Sequence, residues 1–235
     1  MGQPVKLAEN VYRIGTLGPY INAYLLIEPN GELTLVDAGL KGAPKKIVSA
    51  IESLGKKPSD VTRIVLTHAH PDHAGGLKRM QGETGARVMC HGVDAPFARA
   101  GHAPPRDRRN LTARILGMLP GNSFPPCEVD EEIADGQLLD IAGGLRVVHT
   151  PGHTLGHVSL MHEPSGVLIV GDSLFNNTGL GFSIKMACQD IPLSRETAGR
   201  LAELDFEIAA FMHGPEIRER ARERVREFIA KRLGR

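Results

Sequence analysis

The feature that most restricts this chain is one short stretch, Thr67-His68-Ala69-His70-Pro71-Asp72-His73. Three imidazoles and a carboxylate follow directly on Val61 to Leu66, a β-branched run that reads as a short buried strand. Residues two apart on an extended chain point the same way, so His68 and His70 can grip one ion. Asp72 and His73 come where the chain turns into a helix and can face a second position. Imidazole nitrogen combined with carboxylate oxygen suits zinc first, and iron or manganese as well.

Three later positions extend the pattern. Pro151-Gly152-His153-Thr154 follows a strand expected at Leu145 to His149, Gly171-Asp172 ends one at Val167 to Val170, and His213-Gly214 ends one at Glu207 to Met212. Each polar residue lies at a strand-to-loop junction, so several loops can converge on one sheet edge. A lone histidine at any of these places is more often structural. Taken with residues 67–73, the set reverses that weighting.

The rest of the chain supplies the frame. Further strands are expected at Tyr20 to Ile27 and Glu32 to Val36, joined by the turn Pro29-Asn30-Gly31, and at Arg87 to His91, Gln137 to Ile141 and His157 to His162. Helices are expected at Pro44 to Leu54, Asp72 to Gln81, Ser194 to Leu204 and Pro215 to Leu233, the last with Glu216–Arg220 and Glu227–Lys231 as i,i+4 pairs. Residues 92–127 are rich in Pro, Gly and Arg around one helical piece near Arg108 to Leu119, and read as a lid or substrate segment within a single domain spanning 1–235. Two β-rich blocks, each followed by helices, imply an α/β fold of two packed sheets with helices outside.

Composition removes several function classes. A net charge of +1 gives no general pull toward nucleic acid or an anionic membrane. Aromatic residues make up 4% with no Trp, which argues against a base-stacking platform. No apolar run reaches the roughly 18 residues of a membrane span, and Met1 to Tyr20 lacks a leader pattern. Three widely spaced cysteines, Cys90, Cys127 and Cys188, fit a reducing cytoplasm and read as small buried hydrophobes. The expected partner is a small-molecule substrate; a homodimer is allowed.

In this order, THAHPDHAGG, TPGHTLGH, GDSLF and HG, preceded by Leu35-Val36-Asp37-Ala38-Gly39, resemble the metallo-β-lactamase superfamily over nearly the whole chain. The resemblance implies a four-layer αββα sandwich with two divalent ions at one edge of the sheets. It implies His68, His70 and His153 on the first ion, Asp72, His73 and His213 on the second, and Asp172 between them. Two such ions can hold a bridging water, lower its pKa from 15.7 toward about 7, and so supply hydroxide to a carbonyl carbon. Asp72 is then also the implied proton shuttle. Asp37 and His157 are expected behind the ligands, since groups of that kind orient ligating imidazoles. Tyr20 and Lys185 are candidates for contacting substrate.

Departures from the family's branches narrow the choice. Asp172 stands where the family's true β-lactamases carry cysteine or serine, leaving β-lactam hydrolysis as a side activity. His70 stands where the flavodiiron branch has glutamate. Glyoxalase II has a helical domain after its last histidine, whereas 22 residues follow His213 here. Lactonases acting on acyl-homoserine lactones use a tyrosine between the aspartate and the last histidine, but the tyrosines here are Tyr12, Tyr20 and Tyr24. Nuclease branches add an RNA-binding arm or a large inserted domain. The leading expectation is a dinuclear hydrolase of a small ester, lactone or thioester. The alternatives are a mononuclear-iron persulfide dioxygenase, whose GCGR-type stretch Asn176 to Gly181 does not match, and a metal-stabilised binding protein.

Overall fold

A computed structural model describes residues 3–117 and 121–234, without the side chains of 114, 116 and 117. Strands β1 (Val5–Ala8), β2 (Val11–Leu17), β3 (Ile21–Ile27), β4 (Leu33–Val36), β5 (Val61–Leu66), β6 (Arg87–His91) and β7 (Glu131–Ile133) form one sheet in chain order. Its first half is antiparallel and its second half, from β4 onward, parallel. The second sheet contains β8 (Leu138–Leu139), β9 (Leu145–His149), β10 (Val158–His162) and β11 (Val167–Ile169). A small hairpin, β12 (Leu174–Phe175) with β13 (Gly181–Phe182), follows before β14 (Ile208–Ala210). The second sheet runs β14-β11-β10-β9-β8, with β14 parallel to β11.

Helices α1 (Pro44–Ser53), α2 (Pro71–Ala74), α3 (Leu77–Thr84), α4 (Ala95–Ala100) and α5 (Leu111–Gly117) belong to the first half of the chain. Helices α6 (Ile191–Ala198) and α7 (Ala221–Leu233) belong to the second. Because both faces of this sheet are covered, β3 from Ile21 to Leu26 and β5 from Ile64 to Leu66 are buried without alternation. In β5, Ile64 and Leu66 point to a core shared with Ile47 and Ile51 of α1 and Leu77 and Met80 of α3, while Val65 points to the other sheet. Leu145, Val147, Leu160 and Ile169 answer it from that sheet, whose outer face packs Val148 and Leu168 on Val225 and Ile229 of α7. Three cores separate four layers, as expected of the αββα sandwich.

Several boundaries differ from the expectation, each for a local reason. The helix expected at 72–81 is two helices, broken at Gly75 and Gly76. A Cβ at Gly75 would lie 3.0 Å from Gly39 O, and one at Gly76 would lie 2.3 Å from Ala38 O, so this pair admits the Asp37–Gly39 turn. The helix expected at 194–204 starts at Ile191, because the Asp190 side chain accepts from Leu193 N at its N-terminus, and it tightens to 3₁₀ over Gly199–Glu203. The last helix starts at Ala221 rather than Pro215, since Ile217 bridges back to Ala209 beside β14. Glu216 is therefore not in a helix: instead of Arg220 it binds Arg13 at 2.9 Å and Arg218 at 3.0 Å. Strands β1, β2 and β7, the β12–β13 hairpin and helix α4 were not anticipated. Of the helical piece expected at 108–119, Leu111–Gly117 is observed, and 118–119 lie outside the described residues.

Candidate metal centre

The loops that carry the histidines leave the same edge of both sheets: residues 67–73 after β5, His153 after β9, Asp172 after β11 and His213 after β14. Backbone bonds tie the sheets together there, with Val158 N donating to Thr67 O (3.0 Å) and Asn22 N to Met212 O (2.9 Å). Asn22 Nδ2 adds bonds to Phe211 O and Gly214 O, which fixes the turn around His213. Extended backbone at His70 is what Pro71 requires of its predecessor, and Pro71 then opens α2, which carries Asp72 and His73.

Two groups of ligand atoms result. His68 Nε2 lies 3.1 Å from His70 Nδ1, which lies 2.8 Å from His153 Nε2. Beside them, His213 Nε2 is 3.4 Å from Asp72 Oδ2 and 3.3 Å from Asp172 Oδ1, and His73 Nε2 is 3.4 Å from the same Asp172 oxygen. The other oxygen, Asp172 Oδ2, is 3.2 Å from His153 Nε2, so this carboxylate faces both groups. The structure thus brings together all seven residues expected as ligands, buried except for the partly exposed Asp72.

The outward ring nitrogens decide which lone pairs point inward. Thr67 Oγ1 donates to Asp37 Oδ2 (2.7 Å), so it accepts from His68 Nδ1 (3.1 Å) and leaves His68 Nε2 unprotonated. Asp37 Oδ2 accepts from His73 Nδ1 at 2.6 Å, and Tyr20 O accepts from His213 Nδ1 at 2.8 Å. Ser183 Oγ pairs with His153 Nδ1 at 2.6 Å. Three buried atoms facing this space, His73 Nε2, Asp172 Oδ1 and His213 Nε2, have no hydrogen-bond partner among the described residues. Orphaned buried polar atoms are costly unless something else satisfies them, and an N/O donor set of this kind fits divalent cations.

Electrostatics separates the two groups. Burial holds His68 and His153 well below the ordinary histidine range and His70 at about 4, so these rings are neutral and ready to ligate. Burial also opposes charge on His73, but Asp172, Asp72 and Asp37 overcome it and raise that ring to about 10. His213 is raised against burial by Asp172, and Asp172 is held well below the usual carboxylate range by His213, His73 and His153.

The two expected supporting residues are both at the centre. Asp37, fully buried at φ +59°, also accepts from Thr67 N at 2.7 Å. His157, pushed by burial to about 3, accepts the Asp172 N–H on Nε2 at 2.7 Å while Nδ1 faces Thr150. Gly171 makes this contact geometrically open. Its φ is +59°, and a Cβ there would lie 2.3 Å from His157 Nε2.

Asp94, just past β6 at the same edge, is a residue the sequence reading missed. Its Oδ2 accepts from Ala69 N (2.8 Å) and Thr154 Oγ1 (2.7 Å), and Oδ1 accepts from Gly156 N (2.9 Å), so one buried carboxylate ties together both histidine loops. The available signal was its position at the end of a parallel strand. The two substrate candidates lie elsewhere than expected. Tyr20 supplies its carbonyl to His213 while its side chain is 61% exposed, and Lys185 is exposed. Neither lines the cleft of about 350 Å³ above the ligands, where Leu40, Arg106, Phe175 and Ile184 do. Of the expected lid, the part at Asp94–Ala98 is built into the core instead, and 118–120 lie outside the described residues.

Comparison with known proteins agrees with this architecture. The family model for the metallo-beta-lactamase superfamily matches residues 17–213, and the chain belongs to that superfamily. A metallo-beta-lactamase family protein from Thermus thermophilus superposes with a TM-score of 0.74 at 29% identity, covering 97% of this chain and 81% of that one. The uncharacterized protein YobT of Bacillus subtilis is 35% identical over 69% of this chain and 66% of its own length. A hydroxyacylglutathione hydrolase of Cereibacter sphaeroides is 31% identical over 61% of this chain and 44% of its own length. The chain thus spans less than two thirds of the length of these curated relatives.

Proposed function

We propose that this chain is a metal-dependent hydrolase of a small carbonyl substrate, an ester, lactone or thioester, working with two divalent ions. The observation that carries the reading is the set of three orphaned buried atoms, His73 Nε2, Asp172 Oδ1 and His213 Nε2, beside the neutral triad His68, His70 and His153. Zinc is the first choice for imidazole and carboxylate donors, with iron or manganese also suited. His68, His70 and His153 would hold one ion, Asp72, His73 and His213 the other, and Asp172 would reach both. Ions held there supply Lewis acidity toward a carbonyl oxygen and activate water at neutral pH.

The chain's own groups set up the rest. Asp37, Tyr20 O and Ser183 fix the imidazoles of His73, His213 and His153, so no ligand has to reorganise. Asp72 is the partly exposed carboxylate at the cleft and is placed to carry a proton to a leaving group. Similarity to the hydroxyacylglutathione hydrolase favours a thioester among the three substrate classes. Three buried cysteines without disulfides support a cytoplasmic setting, and among the described residues no helix is long and apolar enough to cross a membrane.

The test is a panel of an aryl ester, a lactone, a glutathione thioester, a β-lactam and a persulfide, run on protein reconstituted with zinc and with iron. Chelator-sensitive hydrolysis of the ester, lactone or thioester is expected. Oxygen uptake on the persulfide by an iron form alone would replace the proposal with a sulfur dioxygenase. Absence of turnover with two ions bound would replace it with a binding protein.

A further inference from the structure

Among the described residues Arg106 is the one arginine or lysine lining the cleft above the ligand cluster, and nothing in the proposed chemistry uses it. Arg106 is half-buried, yet no carboxylate lies within ion-pairing distance of its guanidinium among the described residues. Its bonds go to neutral acceptors: Nη1 donates to Met186 O at 2.9 Å and Nη2 to Asn122 Oδ1 at 3.0 Å. A guanidinium carries five N–H groups, so three remain, on a planar fork whose geometry matches a carboxylate. Partly buried charges are normally paired, and one left unpaired at the wall of a cleft is a recognition element in waiting.

The neighbouring chain holds this fork in place. Asp107 N donates to Cys188 O at 2.8 Å, and the Asp107 carboxylate accepts from Arg109 N, Nε and Nη2 at 2.9–3.0 Å and from Ile191 N at 3.4 Å. Arg109 reaches on to Asp190, the residue capping α6, at 2.9 Å. The segment carrying Arg106 is thereby stapled to residues 186–191, the stretch that reaches the cleft through Ala187. The same cleft is lined by Leu40, Phe175 and Ile184, apolar surface that suits a short alkyl spacer.

We propose that Arg106 is a specificity-determining residue that receives a carboxylate on the substrate, so that the preferred substrates are short carboxylate-bearing esters or thioesters. This rests on the hydrolase reading for the identity of the reacting group, but it can be tested without turnover. The metal-reconstituted protein is titrated calorimetrically with succinate and with butyrate, two acids of equal carbon number that differ by one carboxylate. One carboxylate can sit at the ligand cluster in either case; only succinate has a second carboxylate to offer Arg106. A charge-assisted bidentate contact corresponds to about tenfold to a hundredfold in affinity, so the wild-type protein should prefer succinate by at least about tenfold.

In Arg106→Met that ratio should fall to about one, with metal content and circular dichroism unchanged. A wild-type ratio near one, or the same ratio in both proteins, overturns the assignment while leaving the hydrolase reading intact. Conversely, an inert substrate panel with a ratio abolished by Arg106→Met overturns the hydrolase reading alone. Should that variant fail to fold, Arg106→Lys carries the test. It keeps a point charge without the fork and should lower the ratio about three- to tenfold, whereas an unchanged ratio contradicts the proposal.

Discussion

Replacing Asp94 by Asn is a demanding perturbation because it changes one atom of a buried junction and touches no ligand. The carboxylate accepts three hydrogen bonds, from Ala69 N, Thr154 Oγ1 and Gly156 N, and each reaches a loop that carries ligands. Hydrogen bonds to a charged group contribute about 1.5–3 kcal/mol each, and a stranded buried donor costs about 1–3 kcal/mol. An Asn oxygen kept toward Ala69 N and Thr154 Oγ1 leaves its amide facing the Gly156 N–H, donor against donor. There is no room to swing away, since a Cβ on Gly156 would already lie 2.5 Å from Asp94 Oδ1. The expected loss is therefore one charged bond plus one stranded donor, about 2.5–6 kcal/mol. Urea unfolding of chelator-treated protein measures it without the contribution of bound metal. Competition with a chromophoric chelator should in addition show the first ion bound ten- to a hundredfold more weakly. A change within about 0.5 kcal/mol, the range of ordinary surface substitutions, together with unaltered metal affinity, would refute the view that Asp94 positions the histidine loops.

Other outcomes follow from the same geometry. Asp37→Asn turns an amide toward His73 Nδ1 and disfavours the ring form that ligates through Nε2, so a stepwise metal titration should show the second ion weakened about ten- to a hundredfold and the first less. Gly171→Ala places a Cβ on His157 at positive φ; thermal unfolding should show a loss of more than about 2 kcal/mol, and a neutral result would contradict the packing. In the metal-free protein His73 titrates at about 10, above its unfolded value near 6.5. Its charged form therefore stabilises the fold fully below about pH 6.5, and that contribution is lost as pH rises through about 10. Ligation requires the neutral ring, so calorimetry at pH 8 in buffers of different ionisation enthalpy should show about one proton or more released per chain on metal binding, fading toward pH 10.

The part of the centre legible in the sequence is the part that is contiguous. His68, His70, Asp72 and His73 lie within seven residues of the end of a strand that reads as buried because it faces a core on each side. His153, Asp172 and His213 could be placed because each ends a strand. Asp94 escaped notice because its partners Ala69, Thr154 and Gly156 bind it through two backbone amides and one hydroxyl, which leave no residue pattern. Tyr20 was singled out for its ring, but its carbonyl is what reaches His213. Arg106 lay unmarked among the arginines of an irregular segment, since only the fold shows that no carboxylate among the described residues answers it. The break at Gly75 and Gly76 depends on a turn some 35 residues earlier in the chain approaching within contact distance, and local helical periodicity carries no trace of that.

The central claim is that seven side chains from four loops form one site for two ions, joined by Asp172. Metal content per chain of Asp172→Ala, set against the wild-type protein after identical reconstitution and desalting, tests it most directly. Two ions are expected in the wild type and at most one in the variant, with nearly all hydrolytic activity lost. Two ions retained by the variant would contradict it.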